Sequence, residues 1–197
     1  SHGVALGATQ DGKHLVSGHG DGLVRVFEAS SGALLHSFQA HDPAHMGVGG
    51  VAISRDGTYI ASCGLDGKLK IWETAPGRLM HDVQISKGLP GGFPFERAAC
   101  VAFSPNGKLL AVAHTCAEST TIELRDVETG QIQSNVLKHP ARTWFGQHLA
   151  FSPDGNFLIS TARDYTIRVW DLLTVQEVHE PPVHASLVGH VAFSPDD

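Results

Sequence analysis

Apolar and polar residues alternate in short runs along this chain, and one arrangement of them recurs five times. Its copies begin, at separations of 47, 50, 48 and 42 residues, at Val4, Val51, Val101, Leu149 and Val191. In the fourth copy, four apolar runs (149–152, 157–161, 166–170 and the weaker 175–180) are separated by short polar breaks. No window sustains an apolar period of 3.6 residues, so long helices are not expected. The pattern predicts a repeat array in which each complete unit is a four-stranded antiparallel meander.

The break after the first run of each unit has the composition of a tight turn. In the fourth unit it reads PDGN from Pro153. Proline suits the second position of such a turn, and the glycine tolerates a positive φ. The first two strands of each unit should therefore form a hairpin.

Two segments carry a family resemblance. KLKIWE (68–73) and TIRVWD (166–171), together with the SPDG-type turns, resemble the blades of WD-repeat β-propellers. The resemblance covers nearly the whole chain and implies an all-β fold: a partial or open propeller of four four-stranded antiparallel blades plus the inner strand of a fifth. The expected blades are residues 1–40, 48–87, 98–138 and 147–181, with the fifth inner strand at 188–194.

The number of units suggests that the functional propeller is larger than these residues. His184 lies seven residues before Val191, as the family spacing requires, yet no Ser, Asp or Trp of a fifth unit follows it. We expect either a fragment of a longer propeller or a chain that closes a ring with itself or with another chain. In both cases the open ends favour association.

Composition narrows the classes of function. The net charge is −6 with His neutral, and no cluster of Lys and Arg is present, which argues against nucleic-acid binding. No apolar stretch approaches 18 residues and no signal-peptide pattern begins the chain, so we expect no membrane span and a cytoplasmic location. No metal and no cofactor is expected.

The chain has thirteen histidines, a number that suggests catalysis or metal binding, but the resemblance gives several of them a structural role. In WD repeats a His, a Ser or Thr, an Asp and a Trp form a buried hydrogen-bond network within a blade. The matching residues here are His41, Ser62, Asp66 and Trp72 in the second unit, and His139, Ser160, Asp164 and Trp170 in the fourth. Ser, His and Asp also make up a nucleophilic triad, but two copies in one chain favour the structural role.

The first and third units depart from this pattern. The first has Phe27 at the Trp position and no upstream His, and the third has Val112 at the Ser position and Arg125 at the Trp position. We expect these two blades to depend on apolar packing, with less secure edge strands. His19 falls in a GHGDG segment and is expected in a solvent-facing turn.

The resemblance implies that the loops from one blade to the next lie on a single face that binds partners. These loops vary most and carry aromatic residues and Arg, the types enriched at interface hot spots. The predicted partner-binding residues are Phe93, Phe95, Arg97, Arg142, Trp144, Phe145 and Arg163.

The sequence therefore favours a non-enzymatic scaffold that binds a protein or peptide. The inner strands are apolar and offer few groups for catalysis at the propeller axis, so no catalytic residue is assigned. Two alternatives remain open: a regulatory or sensor domain of a larger enzyme, and a propeller hydrolase or lyase.

Overall fold

The structure is a computed structural model. It describes residues 3–45, 47–85, 98–115, 120–133, 137–139, 148–161, 164–178, 183–186 and 188–194. Within these ranges, sixteen strands form four separate sheets, each antiparallel and each ordered as its strands follow along the chain.

Sheets 1 and 2 contain the first eight strands. Sheet 1 consists of β1 (Gly3–Ala8), β2 (His14–His19), β3 (Leu23–Glu28) and β4 (Leu34–Gln39). Sheet 2 consists of β5 (Val48–Ile53), β6 (Tyr59–Gly64), β7 (Lys68–Glu73) and β8 (Arg78–Gln84).

Sheets 3 and 4 repeat this plan with shorter outer strands. Sheet 3 consists of β9 (Ala98–Phe103), β10 (Leu109–Thr115), β11 (Thr120–Asp126) and β12 (Leu137–His139). Sheet 4 consists of β13 (Leu149–Phe151), β14 (Phe157–Thr161), β15 (Ile167–Asp171) and β16 (Gln176–Glu177). The predicted four-stranded meanders are confirmed.

The same turn joins the first two strands of every sheet. In sheet 4, the Ser152 hydroxyl donates to the Asp154 carboxylate at 2.5 Å and accepts the backbone N–H of Phe157 at 2.9 Å. Gly155 has the positive φ, 76°, that the turn requires. A buried hydroxyl opens each of the four turns, from Thr9, Ser54, Ser104 and Ser152. The hydroxyl of the first residue in each turn therefore accepts a backbone N–H from the second strand, in place of a hydrogen bond between the two backbones.

Among the described residues, three apolar clusters hold neighbouring sheets together in sequence order. Val16, Val24 and Val26 of sheet 1 pack on Ile60 and Trp72 of sheet 2. The second cluster joins sheets 2 and 3 through Cys63, Leu69, Ile71, Leu110 and Val112, and the third joins sheets 3 and 4 through Ile122, Leu124, Leu149, Leu158 and Trp170. Because a sheet alternates its side chains between two faces, each inner sheet buries both.

The first sheet keeps one apolar face uncovered. On the face turned away from sheet 2, Leu6 is 81% exposed and Leu15 is 41% exposed. The residues at the same register positions in sheets 2 and 4 are at most 6% exposed, namely Val51, Ile60, Leu149 and Leu158. The described sheets thus form an arc with an open end.

The fifth inner strand predicted at 188–194 is not formed, since these residues carry no strand pairing. The segment nevertheless returns to the inner strands, where the His190 ring lies 5.0 Å from that of His148. No helix of the described residues is long and apolar enough to cross a membrane.

Candidate functional site

The candidate site is one end of the sheets, which we call the loop face. It carries the turns between second and third strands and the connections from each fourth strand to the next sheet. Buried polar groups tie these two kinds of segment together, and their geometry differs from sheet to sheet.

In sheet 2 the imidazole of His41 enters from the preceding connection. Its Nδ1 lies 3.0 Å from Asp66 Oδ1, and its Nε2 lies 2.9 Å from Ser62 Oγ. A carboxylate only accepts, so Nδ1 carries the proton and the Ser62 hydroxyl donates to Nε2. Burial by itself raises the pKa of Asp66, but hydrogen bonds from His41 and the Lys68 backbone outweigh it and leave that pKa lowered. His41 and Asp66 thereby fix the connection onto the turn.

The imidazole of His41 fits because Gly64 has no side chain. A Cβ at Gly64 would lie 2.3 Å from His41 Nδ1 and 2.4 Å from Asp66 Oδ1. The predicted fourth member, Trp72, does not join by its N–H, which is buried without a partner among the described residues. Its ring instead stacks on Phe38 of sheet 1, with centroids 5.2 Å apart.

In sheet 4 the same residue types hold their protons differently. Arg168 Nε donates to His139 Nδ1 at 3.0 Å, while Asp164 Oδ2 lies 3.9 Å from that nitrogen. Because Arg can only donate, Nδ1 is the acceptor and the proton is on Nε2, 2.5 Å from Ser160 Oγ. Ser160 also accepts the indole N–H of Trp170 at 2.8 Å. Burial first, then the charge of Arg168, lowers the pKa of His139 to about 4, so its ring is neutral at pH 7.

Sheets 1 and 3 supply an imidazole from their own second strand. His19 and His114 occupy the register position of Gly64, as their pairing with the first strand shows. His19 is the last residue of β2 and is half-buried, with its Nε2 2.7 Å from Ser17 Oγ. The expectation of a solvent-facing turn was therefore wrong. The sequence signal for this arrangement was a His two residues after the position of Ser62, in units that have no upstream His.

Sheet 3 contains an ionic network where apolar packing was expected. Glu123 Oε1 lies 3.2 Å from His114 Nε2, and Arg125 donates to Glu123 Oε2 at 2.8 Å and to the Gly130 carbonyl at 2.8 Å. His114, Glu123 and Arg125 are all less than 9% exposed. Burial acts to raise the pKa of Glu123, but its bonds to His114 and Arg125 prevail and lower it. In sheet 3 these ion pairs take the place of the hydrogen bond between Ser160 and Trp170 in sheet 4.

The edge strands also differ from expectation. The outer strand of sheet 1, β4, has six residues, although its sheet lacks the upstream His and the Trp. The shortest outer strand described is β16, with two residues, and it belongs to sheet 4, whose network is the most completely bonded. The outer strand therefore does not depend on that network.

All seven residues predicted to bind a partner lie outside the described residues. They are Phe93, Phe95, Arg97, Arg142, Trp144, Phe145 and Arg163. Their place on the loop face stays a prediction.

The turn that contains Tyr165 was expected on the loop face, but Tyr165 itself was not among the predicted partner-binding residues. Tyr165 follows Asp164 in the turn between β14 and β15, where the matching turns have Gly22 and Gly67 after their Asp. Its φ is 64°, against 79° and 76° at the two glycines, and its side chain is 44% exposed. The signal was a bulky residue at the glycine position of a repeated Asp-Gly turn.

The inner strands line an open cavity with small, mostly apolar side chains and exposed backbone. Its volume is about 370 Å³, and Ala, Gly and Val of β1, β5 and β9 line most of it, with His148 and His190 at one side. No acidic residue is among its described lining residues. Across the described ranges, no group of three or more His, Cys, Asp or Glu side chains is placed to hold a metal ion.

The comparisons agree with this architecture. A family model described as "WD domain, G-beta repeat" matches residues 32–73 and 147–171. Those ranges include the strands KLKIWE and IRVWD, which form the third strand of sheets 2 and 4. These two segments match the WD-repeat family. The four sheets of the chain correspond to WD-type propeller blades.

Several curated WD-repeat and related proteins resemble the chain. A periodic tryptophan protein 2 homolog of Neurospora crassa is 32% identical over 98 residues, half of this chain and 10% of that protein. One of Dictyostelium discoideum is 27% identical over 186 residues, 94% of this chain and 19% of that protein. WD repeat and SOCS box-containing protein 1 of Danio rerio is 39% identical over 82 residues, 38% of this chain and 18% of that protein. The chain thus spans between a tenth and a fifth of the length of these relatives.

Proposed function

We propose that this WD-repeat chain is a non-enzymatic scaffold that binds a protein or peptide through its loop face. The observation that carries the proposal is that the His and Ser side chains with the chemistry for catalysis are buried and hydrogen-bonded to one another. His41, Ser62, His139 and Ser160 are each at most 3% exposed and bonded to one another in pairs, so they are withdrawn from solvent.

The same bonds prepare the loop face for binding. His41, at the start of one connection, is held by Asp66 in the neighbouring turn, so two separate loop segments are fixed together. A surface ordered before binding loses less conformational entropy when a partner docks. Pre-organisation of this kind supports recognition of another macromolecule.

Cross-linking through lysines tests the proposal on the complex that the full-length chain forms with a copurified protein. Lys68 and Lys138 lie toward the loop face, whereas Lys13 and Lys108 lie in the turns at the opposite end. We expect partner cross-links at the first pair and none at the second. Partner cross-links confined to Lys13 and Lys108 would contradict the proposal.

The predicted loop residues give a second readout. Trp144→Ala and Arg142→Ala should each weaken the complex, and Lys13→Ala serves as the control from the other end. Unchanged affinity in both loop variants would remove these two residues from the binding surface. A cytoplasmic location, and exclusion of nucleic acid, membrane and cofactors as ligands, remain predictions from sequence.

We also propose that the open face of sheet 1 associates with a second copy of the chain. Exposed apolar surface around Leu6 and Leu15 is the feature that favours this. Light scattering should give a mass above the 20.9 kDa of one chain, and Leu6→Asp should lower it. A one-chain mass at every concentration would contradict self-association.

A further inference from the structure

The turn of Tyr165 keeps a backbone shape that suits glycine. In each of three sheets, an Asp carboxylate accepts the backbone N–H two residues ahead, at 3.0 Å for Asp21, 3.0 Å for Asp66 and 3.1 Å for Asp164. The residue between donor and acceptor then takes a positive φ in all three turns. A non-glycine residue held there costs on the order of 1 kcal/mol or more.

Sheet 4 makes room for a side chain that sheet 1 excludes. At Gly22, a Cβ would lie 2.0 Å from the His41 carbonyl oxygen, so only glycine fits. Both turns still accept a backbone N–H from the following connection, from His41 at Gly22 and from His184 at Tyr165. The chain near His184 therefore keeps the bond but leaves space for a phenol ring.

The ring has exposed neighbours and no hydrogen-bond partner among the described residues. Val183, which pairs with Thr166 beside the turn, is 76% exposed, and His184 is exposed as well. We call Tyr165, Val183 and His184 the Tyr165 patch. An exposed aromatic residue with a free hydroxyl and an aliphatic neighbour is the composition of an interface hot spot.

From this geometry we infer that the Tyr165 patch is the anchor of the loop face for an extended peptide segment of a protein partner, which packs an apolar side chain on the ring and offers a carbonyl or carboxylate oxygen to the hydroxyl. The inference rests on the proposed function and names a contact within it. The net charge of −6 disfavours a single-stranded nucleic acid stacking on the same ring.

The test separates the binding role of Tyr165 from its structural role. The probe is a peptide selected from a random library on the immobilised full chain, with affinity followed by fluorescence anisotropy. Tyr165→Gly should weaken binding about tenfold or more without lowering the melting temperature, because glycine accepts the positive φ. Tyr165→Phe should lose only the part due to the hydroxyl. Val175→Gly, at the other non-glycine residue described with a positive φ (57°), should leave binding unchanged.

Photo-cross-linking distinguishes failure of the Tyr165 anchor from failure of the loop face as the binding surface. A benzophenone side chain placed at 165, at Lys68 or at Lys13 is exposed to the selected peptide in turn. Cross-linking at 165 and Lys68 supports both the inference and the proposed function. Cross-linking at Lys68 alone overturns the inference and leaves the loop face standing, and cross-linking at Lys13 alone overturns both. Affinity unchanged in Tyr165→Gly, or preferential binding of an oligonucleotide, would also overturn the inference.

Discussion

Acid should destabilise this protein through His139, beginning at a higher pH than the protonation of its carboxylates. The ring is 1% exposed, and its Nδ1 accepts from the cationic Arg168, so the folded state holds it neutral. Its pKa is about 4 in the folded state, whereas the ordinary value of 6.5 applies to the unfolded chain. The unfolded state therefore binds the proton first as the pH falls, and stability is lost between pH 6.5 and about 4.

The size of the effect follows from those two values. One pH unit across the window is worth about 1.4 kcal/mol per proton, so the whole window gives on the order of 3 kcal/mol. At pH 4.5 most of this has been lost, roughly 2 to 3 kcal/mol relative to pH 7. Against a typical total of 5–15 kcal/mol for a domain, such a loss is easily measured.

Urea unfolding at pH 7 and pH 4.5 is the assay, with His139→Gln as the matched variant. Glutamine can donate its amide N–H to Ser160 and accept from Arg168 through its carbonyl oxygen, but it does not titrate. The difference in unfolding free energy between the two pH values should shrink by roughly 2 to 3 kcal/mol in the variant. If wild type and variant lose the same stability, the assignment of the neutral ring is refuted.

Three further substitutions test the networks by urea unfolding at pH 7. Gly64→Ala should cost about 2 kcal/mol or more, since its Cβ displaces the imidazole that enters there; a cost near zero would show that the ring can move aside. Ser160→Ala should destabilise more than Ser62→Ala, by about 1 kcal/mol, because only Ser160 accepts an indole N–H; equal costs would count against the difference between the two networks. Glu123→Ala should cost about 3–5 kcal/mol by leaving Arg125 buried without its carboxylate, and a loss below about 1 kcal/mol would mean that water reaches that arginine.

Much of the fold follows from local sequence pattern. Four short apolar runs with SPDG-type turns predicted each sheet, because a hairpin is specified by residues close together in the chain. The histidines of the networks were predicted less well, because they were expected only upstream of each unit. His19 and His114 sit where Gly64 does, so units that seemed to lack an imidazole had one supplied from a different strand. The predicted partner-binding residues lie outside the described residues, so they stay predictions.

By itself, the sequence determined the repeat, the strands, the hairpin turns and which residues could share a network, since these depend on spacing and side-chain periodicity. Only the tertiary structure decided where the protons lie. His41 and His139 have the same spacing to their Ser and Asp, yet Asp66 contacts one Nδ1 and Arg168 the other. Whether a ring nitrogen donates or accepts depends on which charged group lies about 3 Å from it, and side-chain packing settles that distance.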